Sequence, residues 1–339
     1  MPQRELLVTQ RELSERRNTA PRGNHREPSW VLRHMTLVAL AALVVAIASV
    51  VVVDKAFHKN TQASPAPAKS QSQPVRYLGV YEPDTPYTYS GVEQFAKAIG
   101  RQPNLVSYYS GWGEVFQKNF AETAASYGAK TIIQVDPTNI SLAEIASGTY
   151  DSYLASFADE IAAFKHPVII SFGHEMNGFW ETWGYTHTPP ATFVAAWRHI
   201  VTLFRHQHAS NVIWLWQVNS ASSQTGPVRD WWPGSQYVTW VGVSGYYYVP
   251  GDTFNNVFIP VISAVRKFTK DPLLIAETGV GPQAGQARGI KDLFAGLRTE
   301  NYLGLVWFDQ HSYGGLYKGE DWRLEGNAVA LTTFRNALK

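Results

Sequence analysis

Short apolar runs recur along the chain from residue 75 onward, and stretches with helical spacing lie between most of them. Each run has four to six residues and is apolar at consecutive positions rather than at alternate ones. Such runs are typical of strands that are buried on both faces of a parallel sheet. Eight runs have this character: Tyr77–Tyr81, Leu105–Tyr109, Thr131–Val135, Val168–Phe172, Val212–Gln217, Trp240–Gly245, Leu273–Ala276 and Leu305–Phe308.

Helical patterns separate these runs. Residues 116–127 read as a helix that is closed by Gly128, and only the segment between Gln217 and Trp240 is mostly loop. Eight alternating units over residues 75–339 predict an α/β fold, a single (β/α)8 TIM barrel, rather than two domains. Two stripes of apolar residues define further helices: Tyr153, Phe157, Ile161 and Phe164, then Phe193, Ala196, Trp197, Ile200, Val201 and Phe204.

The longest apolar stretch of the chain precedes the barrel. Residues 35–53 form nineteen positions without a charge, which is long enough for a helix to cross a bilayer. Residues 1–34 hold seven Arg against four Glu, and this excess favours a cytoplasmic amino terminus. The sequence therefore predicts a basic cytoplasmic tail, a transmembrane anchor at 35–53 and an extracytoplasmic barrel. A cleaved signal peptide and a secreted protein remain the alternative.

Composition bounds the remaining possibilities. Residues 54–74 are rich in Pro, Ala, Ser and Gln, so they cannot bury a core and are predicted to be a flexible linker. The net charge is +2 and no basic stripe is visible, which argues against a nucleic-acid partner. The chain has no Cys, which excludes disulfides, thiolate metal sites and a Cys nucleophile.

Two glutamates stand at the ends of predicted strands. Glu175 follows the fourth run and Glu277 follows the seventh. The carboxyl ends of the strands of a parallel barrel meet at one rim, which is where such barrels hold their chemistry. Two carboxylates that face one pocket are what the cleavage of a glycosidic bond requires. The 12 Trp and 17 Tyr agree with this hypothesis, because sugar rings stack on flat aromatic faces.

Other chemistries fit the same residues less well. His174-Glu175 could open a zinc protease helix, but the position of the second His is occupied by Gly178. No G-x-S-x-G motif follows a strand, so a serine hydrolase elbow is excluded as well. Taken alone, Glu175 is compatible with a solvated loop position and Glu277 with a structural partner of an Arg. No metal and no cofactor is implied.

Residues 75–339 resemble glycoside hydrolase family 26, within the clan of retaining (β/α)8 barrels. The resemblance is best from about residue 168 to 338, and it is carried by GHEMNGFWETWG, WWPGSQYVTWVGVSGY, LLIAETG and VWFDQ. It implies that Glu175 is the general acid/base and Glu277 the nucleophile of a retaining endo-β-glycosidase. It further implies a substrate-binding role for six residues: His174, Tyr246, Trp180, Trp307, Trp183 and Trp112.

The resemblance also implies the partner. The family acts on β-1,4-mannan, β-1,3-1,4-glucan and β-1,3-xylan, so a β-linked polysaccharide is the expected substrate. A β-mannan or a β-1,3-1,4-glucan is the preferred candidate. Three residues depart from the family pattern: Phe172 stands for a frequent Arg, Ser244 for an Asp and Thr278 for an aromatic residue. These departures leave open a membrane-anchored, non-hydrolytic carbohydrate-binding barrel that serves exopolysaccharide assembly.

Overall fold

A closed barrel of eight parallel strands forms the centre of the part of the chain that the structure, a computed structural model, describes: residues 75–281, 283–310 and 321–339. The strands follow one another in chain order, and the last pairs with the first. All eight predicted strands are present, with ends that differ by at most two residues. They are β1 (Tyr77–Tyr81), β2 (Leu105–Gly111), β3 (Lys130–Asp136), β4 (Val168–Phe172), β5 (Val212–Asn219), β6 (Trp240–Ser244), β7 (Leu273–Thr278) and β8 (Gly304–Phe308).

Helices cover the outside of the strands. The longest, α5, begins with a proline in its first turn and carries Arg205 and His206 in its last turn, where positive charge interacts favourably with the helix dipole. The helices are α1 (Ser90–Ile99), α2 (Lys118–Ser126), α3 (Leu142–Ala146), α4 (Asp151–Phe164), α5 (Pro190–His206), α6 (Phe254–Val257), α7 (Ile259–Val265), α8 (Gln286–Leu297) and α9 (Ala328–Ala337).

The connection from β5 to β6 carries no α-helix. Two short 3-10 turns, Val228–Trp231 and Ser235–Tyr237, take its place. The loop-like sequence of this unit is therefore confirmed. The turns still cover the barrel, because Trp231 is fully buried and packs on Phe193 of α5.

The barrel interior changes from apolar to polar toward the rim. At one end a cluster that includes Leu105, Ile169 and Leu274 fills the barrel with apolar side chains. Next to it lies a buried polar layer in which Ser171 donates to Gln217 at 3.2 Å and Gln217 donates to Ser244 at 2.9 Å. Buried polar groups require such partners, so this layer makes a hydrogen-bonded floor for the barrel mouth.

The predicted tail, anchor and linker, at residues 1–34, 35–53 and 54–74, lie outside the described residues. Within the ranges that are described, none of the helices combines the length and the apolar character that a bilayer crossing demands. The transmembrane anchor therefore stays a prediction.

Candidate active site

The backbone turns sharply where β4 ends. Gly173 and Glu175 both have positive φ, at 52° and 55°, which is a left-handed conformation that residues other than glycine rarely adopt. The Glu175 amide donates to the carbonyl of Gln217 on β5 at 2.8 Å, so the neighbouring strand holds the turn in place. Non-glycine residues in this region cost on the order of 1 kcal/mol or more, and such residues cluster at functional sites.

Glu277 lies within β7 as its penultimate residue, rather than after the strand as the sequence suggested. Its carboxylate receives hydrogen bonds from three side chains. Tyr109 donates to Oε2 at 2.5 Å, Gln134 donates to the same oxygen at 3.2 Å, and Tyr246 donates to Oε1. Donors on both oxygens stabilise the charged form of a buried carboxylate.

Ser244 lies beside both glutamates. It pairs with Glu277 in the register of β6 and β7, and its side chain hydrogen-bonds to Glu175. The structure therefore brings the two carboxyl groups to one place at the barrel mouth, where each is almost fully buried. Ser244 stands where the family pattern has an Asp, and it still hydrogen-bonds to a carboxyl group of the site.

Glu175 has a different environment from Glu277. Burial raises its pKa, and the negative charge of Glu277 raises it further, while His174 and the hydrogen bonds from Asn219 and Ser244 act in the opposite direction. Trp180 donates its indole N–H to Oε2 of Glu175 at 3.0 Å. The protonated form of Glu175 is thus favoured beside the carboxyl group of Glu277.

His174 is joined to Asp136, the last residue of β3, at 2.8 Å between Nδ1 and Oδ1. Burial lowers the pKa of His174, but the charge and hydrogen bond of Asp136 outweigh it, and together with Glu181 and Glu175 they bring the pKa to about 10. Burial is also the largest cause of the raised pKa of Asp136, which the imidazolium opposes. His174 is therefore a cation at neutral pH.

A further carboxyl group, Glu181, lies in the same region and was not among the predicted site residues. Its side chain is buried, and within the described residues its Oε1 atom has no hydrogen-bond partner. Burial raises the pKa of Glu181 to about 8, with His174 opposing and Asp136 adding to the shift. Glu181 is therefore mostly a neutral acid at pH 7.

The predicted aromatic residues separate into distinct groups. Trp180 lies half-buried against Glu175, and Tyr246 against Glu277. Trp183 is buried beneath the mouth and donates to the backbone carbonyl of His174 at 2.9 Å. Trp112 is partly exposed and packs edge-on against residues of α4 and its N-terminus.

Trp307 does not join this group. It is fully buried, its ring packs 5.2 Å from Phe334 of α9, and its indole donates to Asp309 and to the carbonyl of Trp322. It therefore faces the helix layer and has no surface for a sugar, in contrast to the cleft position that the sequence suggested. The reason is the alternation of the strand, which turns Trp307 outward and its neighbours inward.

Two other departures from the family pattern have visible surroundings. Phe172 points outward from β4 and packs on Phe193 and Trp197 of α5, so it belongs to the core. Thr278 is fully buried at the end of β7. Neither residue contributes a charge to the mouth.

Besides Glu181, three residues that contact Glu277 or His174 escaped the sequence analysis: Tyr109, Gln134 and Asp136. Gln134 carries a usable signal, because it is a lone polar residue inside an otherwise apolar run. Asp136 ends β3 and Tyr109 lies two residues before the end of β2, but many residues at such positions have no such role. In the described ranges, no three His, Asp or Glu side chains are placed to hold a metal ion together.

Residues 87–283, more than half of the chain, match the family model described as glycosyl hydrolase family 26. The chain belongs to glycoside hydrolase family 26. It is 27% identical over 266 residues to endoglucanase H of Acetivibrio thermocellus. This alignment covers 74% of this chain and 29% of that protein. It is 26% identical over 238 residues to the β-1,3-xylanase TXYA of a Vibrio species, with 64% and 50% covered.

The chain therefore spans less than a third of one curated relative and half of the other. Among solved structures, the catalytic domain of a Bacillus sp. JAMB-750 endo-β-1,4-mannanase of family 26 superposes with a TM-score of 0.59 at 16% identity. The match covers 78% of this chain and 85% of that one. At this identity the likeness shows the fold, and the family model carries the assignment.

Proposed function

We propose that this family 26 protein is a retaining endo-β-glycosidase that hydrolyses a β-linked polysaccharide through two glutamates. Glu277 is the nucleophile and Glu175 the general acid/base. The observation that carries the proposal is the contrast between the two carboxyl groups: three donors hold Glu277, while burial and the charge of Glu277 raise the pKa of Glu175. A double displacement needs one charged and one protonated carboxyl group at the start.

In the first step, Glu277 attacks the anomeric carbon while Glu175 donates its proton to the departing glycosidic oxygen. The covalent bond removes the negative charge of Glu277. Because that charge raises the pKa of Glu175, its loss lowers the pKa, and Glu175 becomes able to take a proton from water. The water then cleaves the glycosyl-enzyme, and both carboxyl groups return to their starting states.

His174, Tyr246 and Trp180 complete the site around the bound sugar. The imidazolium of His174 offers a charged donor near the nucleophile, and Tyr246 holds Oε1 of Glu277. Trp180 is bonded to Glu175 and half-exposed, so its ring can also contact a sugar face. Trp183 is buried and hydrogen-bonds to the backbone carbonyl of His174. Trp112 is a more distant candidate for the wall of the cleft. Trp307 is fully buried and is not part of the proposed binding site.

A β-mannan or a β-1,3-1,4-glucan is the substrate that we propose. The named relatives act on different polymers, since one is an endoglucanase, one a β-1,3-xylanase and one a β-1,4-mannanase. We further propose that residues 35–53 anchor the enzyme in a membrane with the barrel on the extracytoplasmic side. Release of the barrel after signal cleavage is the alternative.

The direct test is reducing-sugar release by the full-length chain from a panel of β-mannan, mixed-linkage β-glucan and β-xylan. Glu175→Gln and Glu277→Gln should each lose at least about a thousandfold in kcat on the hydrolysed polymer. A matched control is Glu122→Gln, because Glu122 is an exposed helical residue. A 2-deoxy-2-fluoro glycoside should label the wild type, and Glu277→Gln should resist labelling.

Two outcomes would contradict the proposal. Near-normal turnover by either glutamate variant would show that the replaced glutamate does not have the catalytic role proposed for it. Binding of a polymer without any release would instead favour the non-hydrolytic barrel that serves polysaccharide assembly.

A further inference from the structure

A second pair of carboxyl groups lies at the same rim, away from Glu175 and Glu277. Glu82 follows β1 and Asp309 follows β8, and these strands pair in register up to Tyr81 and Phe308. The amide of Asp309 donates to the carbonyl of Tyr81 at 3.0 Å, which extends the ladder by one step. The two carboxyl groups are buried and hydrogen-bond to each other.

A hydrogen bond between two carboxyl groups requires a proton on one of them, since carboxylates are acceptors only. Burial raises the pKa of Glu82 to about 9, and the charges of Asp309, Glu325 and Asp84 add to the shift. Burial and then Glu325 raise the pKa of Asp309 to about 7, while hydrogen bonds from Leu324, Glu82 and Trp307 oppose this. Between about pH 7 and about pH 9 the pair therefore holds one proton, mainly on Glu82.

Asp309 also connects the Glu82–Asp309 pair to the segment at residues 322–324. Its Oδ1 atom accepts hydrogen bonds from the backbone amide of Leu324 at 3.1 Å and from the indole of Trp307 at 3.2 Å. The same indole donates to the carbonyl of Trp322 at 2.9 Å. Asp309 and Trp307, which are bonded to each other, together fix the backbone of residues 322–324 to the end of β8.

Trp322 connects this segment to the catalytic region. Its ring lies 5.3 Å from that of Tyr246 and 5.9 Å from that of Phe308. It also covers Gly279, where an added Cβ would lie 2.5 Å from the indole. Gly279 is two residues past Glu277, and Tyr246 donates to Glu277. Trp322 therefore packs on both the backbone and the hydrogen-bond donor next to the proposed nucleophile.

We propose that Glu82 and Asp309 are positioning residues that share one proton and, by fixing Trp322 against Tyr246, hold Glu277 for catalysis. The proposal rests on the assignment of Glu277 as nucleophile. When the shared proton is lost at alkaline pH, two buried carboxylates repel each other and the contact with residues 322–324 loosens. Turnover then falls although no group that touches the sugar has changed.

The first experiment reads out Trp322 without using activity. The full-length chain is labelled with 5-fluorotryptophan, and the fluorine resonance of Trp322 is assigned with Trp322→Phe. In the wild type this resonance should move as the pH is raised through about 9, where Glu82 releases the shared proton. In Glu82→Gln it should stay fixed through that step, because the amide keeps its donor there. The exposed-site control Glu122→Gln should follow the wild type.

The second experiment compares kcat with KM on the hydrolysed polymer. Glu82→Leu removes the shared hydrogen bond and should lower kcat about tenfold, with KM changed less than about threefold. Glu82→Gln should keep kcat within about twofold at pH 7 and retain more of it than the wild type at pH 9.

Each arm can overturn the proposal. A Trp322 resonance that is pH-independent in the wild type, or that moves equally in Glu82→Gln, would show that the pair holds no such proton. A wild-type kcat in folded Glu82→Leu would show that the pair positions nothing. If the wild type hydrolyses no polysaccharide, the proposed function fails and so does the catalytic part of this proposal, whereas the fluorine experiment still decides the shared proton.

Discussion

Tyr109 of β2 donates a hydrogen bond of 2.5 Å to Oε2 of Glu277 on β7, so one strand holds a carboxylate that belongs to another. Tyr246 binds the other carboxylate oxygen. The two tyrosines fix both oxygens of Glu277 and leave its orientation little freedom. Such fixed donors position a nucleophile before the substrate arrives.

Replacing Tyr109 by Phe tests this arrangement. We expect Tyr109→Phe to lower kcat about tenfold to a hundredfold, because a hydrogen bond to a charged group contributes about 1.5–3 kcal/mol. KM should change little, since the phenol bonds to the enzyme and not to the polymer. Steady-state kinetics on the hydrolysed polymer measures both quantities.

Tyr87→Phe is the matched control, since Tyr87 is 88% exposed. It should leave kcat and KM at wild-type values. If Tyr109→Phe kept the wild-type kcat, the hydrogen bond from Tyr109 to Glu277 would not contribute to catalysis.

Trp180 offers a test of the acid/base role. Its indole donates to Glu175, and a donor to a carboxylate favours the charged form. We expect Trp180→Phe to raise the pKa of Glu175 further, so that the alkaline limb of kcat/KM moves to higher pH. A pH profile of both proteins measures the shift. Tyr185→Phe, a change in the same connection after β4, should leave the limb in place, and a downward shift for Trp180→Phe would contradict the assignment.

Asp136 controls the charge of His174 in this site. The pKa of His174 is about 10 because the charge and hydrogen bond of Asp136 outweigh the effect of burial. We expect Asp136→Asn to lower this pKa, so that the imidazole titrates at a lower pH than in the wild type. Nitrogen-15 NMR of the histidine side chains across the pH range measures it directly. An unchanged titration of His174 would mean that other groups hold its charge.

The fold followed from the sequence because both of its signals are local. Consecutive apolar residues mark strands such as β4, and a repeat of 3.6 residues marks helices such as α5, so their order alone predicted the barrel. The prediction that Glu175 and Glu277 lie at one rim had a related basis, since strand ends share one rim. Trp307 shows the limit of this reasoning, because a shift of one position decides whether a strand residue faces the mouth or the helices.

The partners of the site depend on distant residues. Tyr109 meets Glu277 only because closure of the barrel brings β2 and β7 to the same mouth, and nothing near Tyr109 in the sequence indicates this contact. Asp309 and Glu82 meet because β8 closes on β1. Contacts of this kind follow from the register of the barrel, which the apolar pattern alone does not fix to the residue.

Glu181 gives a prediction that concerns stability rather than catalysis. Burial is the largest cause that raises its pKa from 4.5 to about 8. Between these values the folded protein keeps a proton that the unfolded chain has released. The free energy of unfolding therefore falls as pH rises through this window, by up to about 1.4 kcal/mol per pH unit from this group. Glu181→Gln cannot release a proton, so it should gain stability relative to the wild type from about pH 4.5 to about pH 8 and hold that difference above.

Chemical unfolding at a series of pH values measures the difference between the two proteins. Glu82 and Asp309 also titrate in this range, but they are common to both chains and cancel in the comparison. Glu122→Gln serves as the control, because Glu122 is exposed and its replacement should leave the pH dependence unchanged. Parallel stability curves for the wild type and Glu181→Gln would mean that Glu181 is charged in the folded protein. Its buried carboxylate would then need a cationic partner, and His174, whose charge already acts on it, would be the residue to examine.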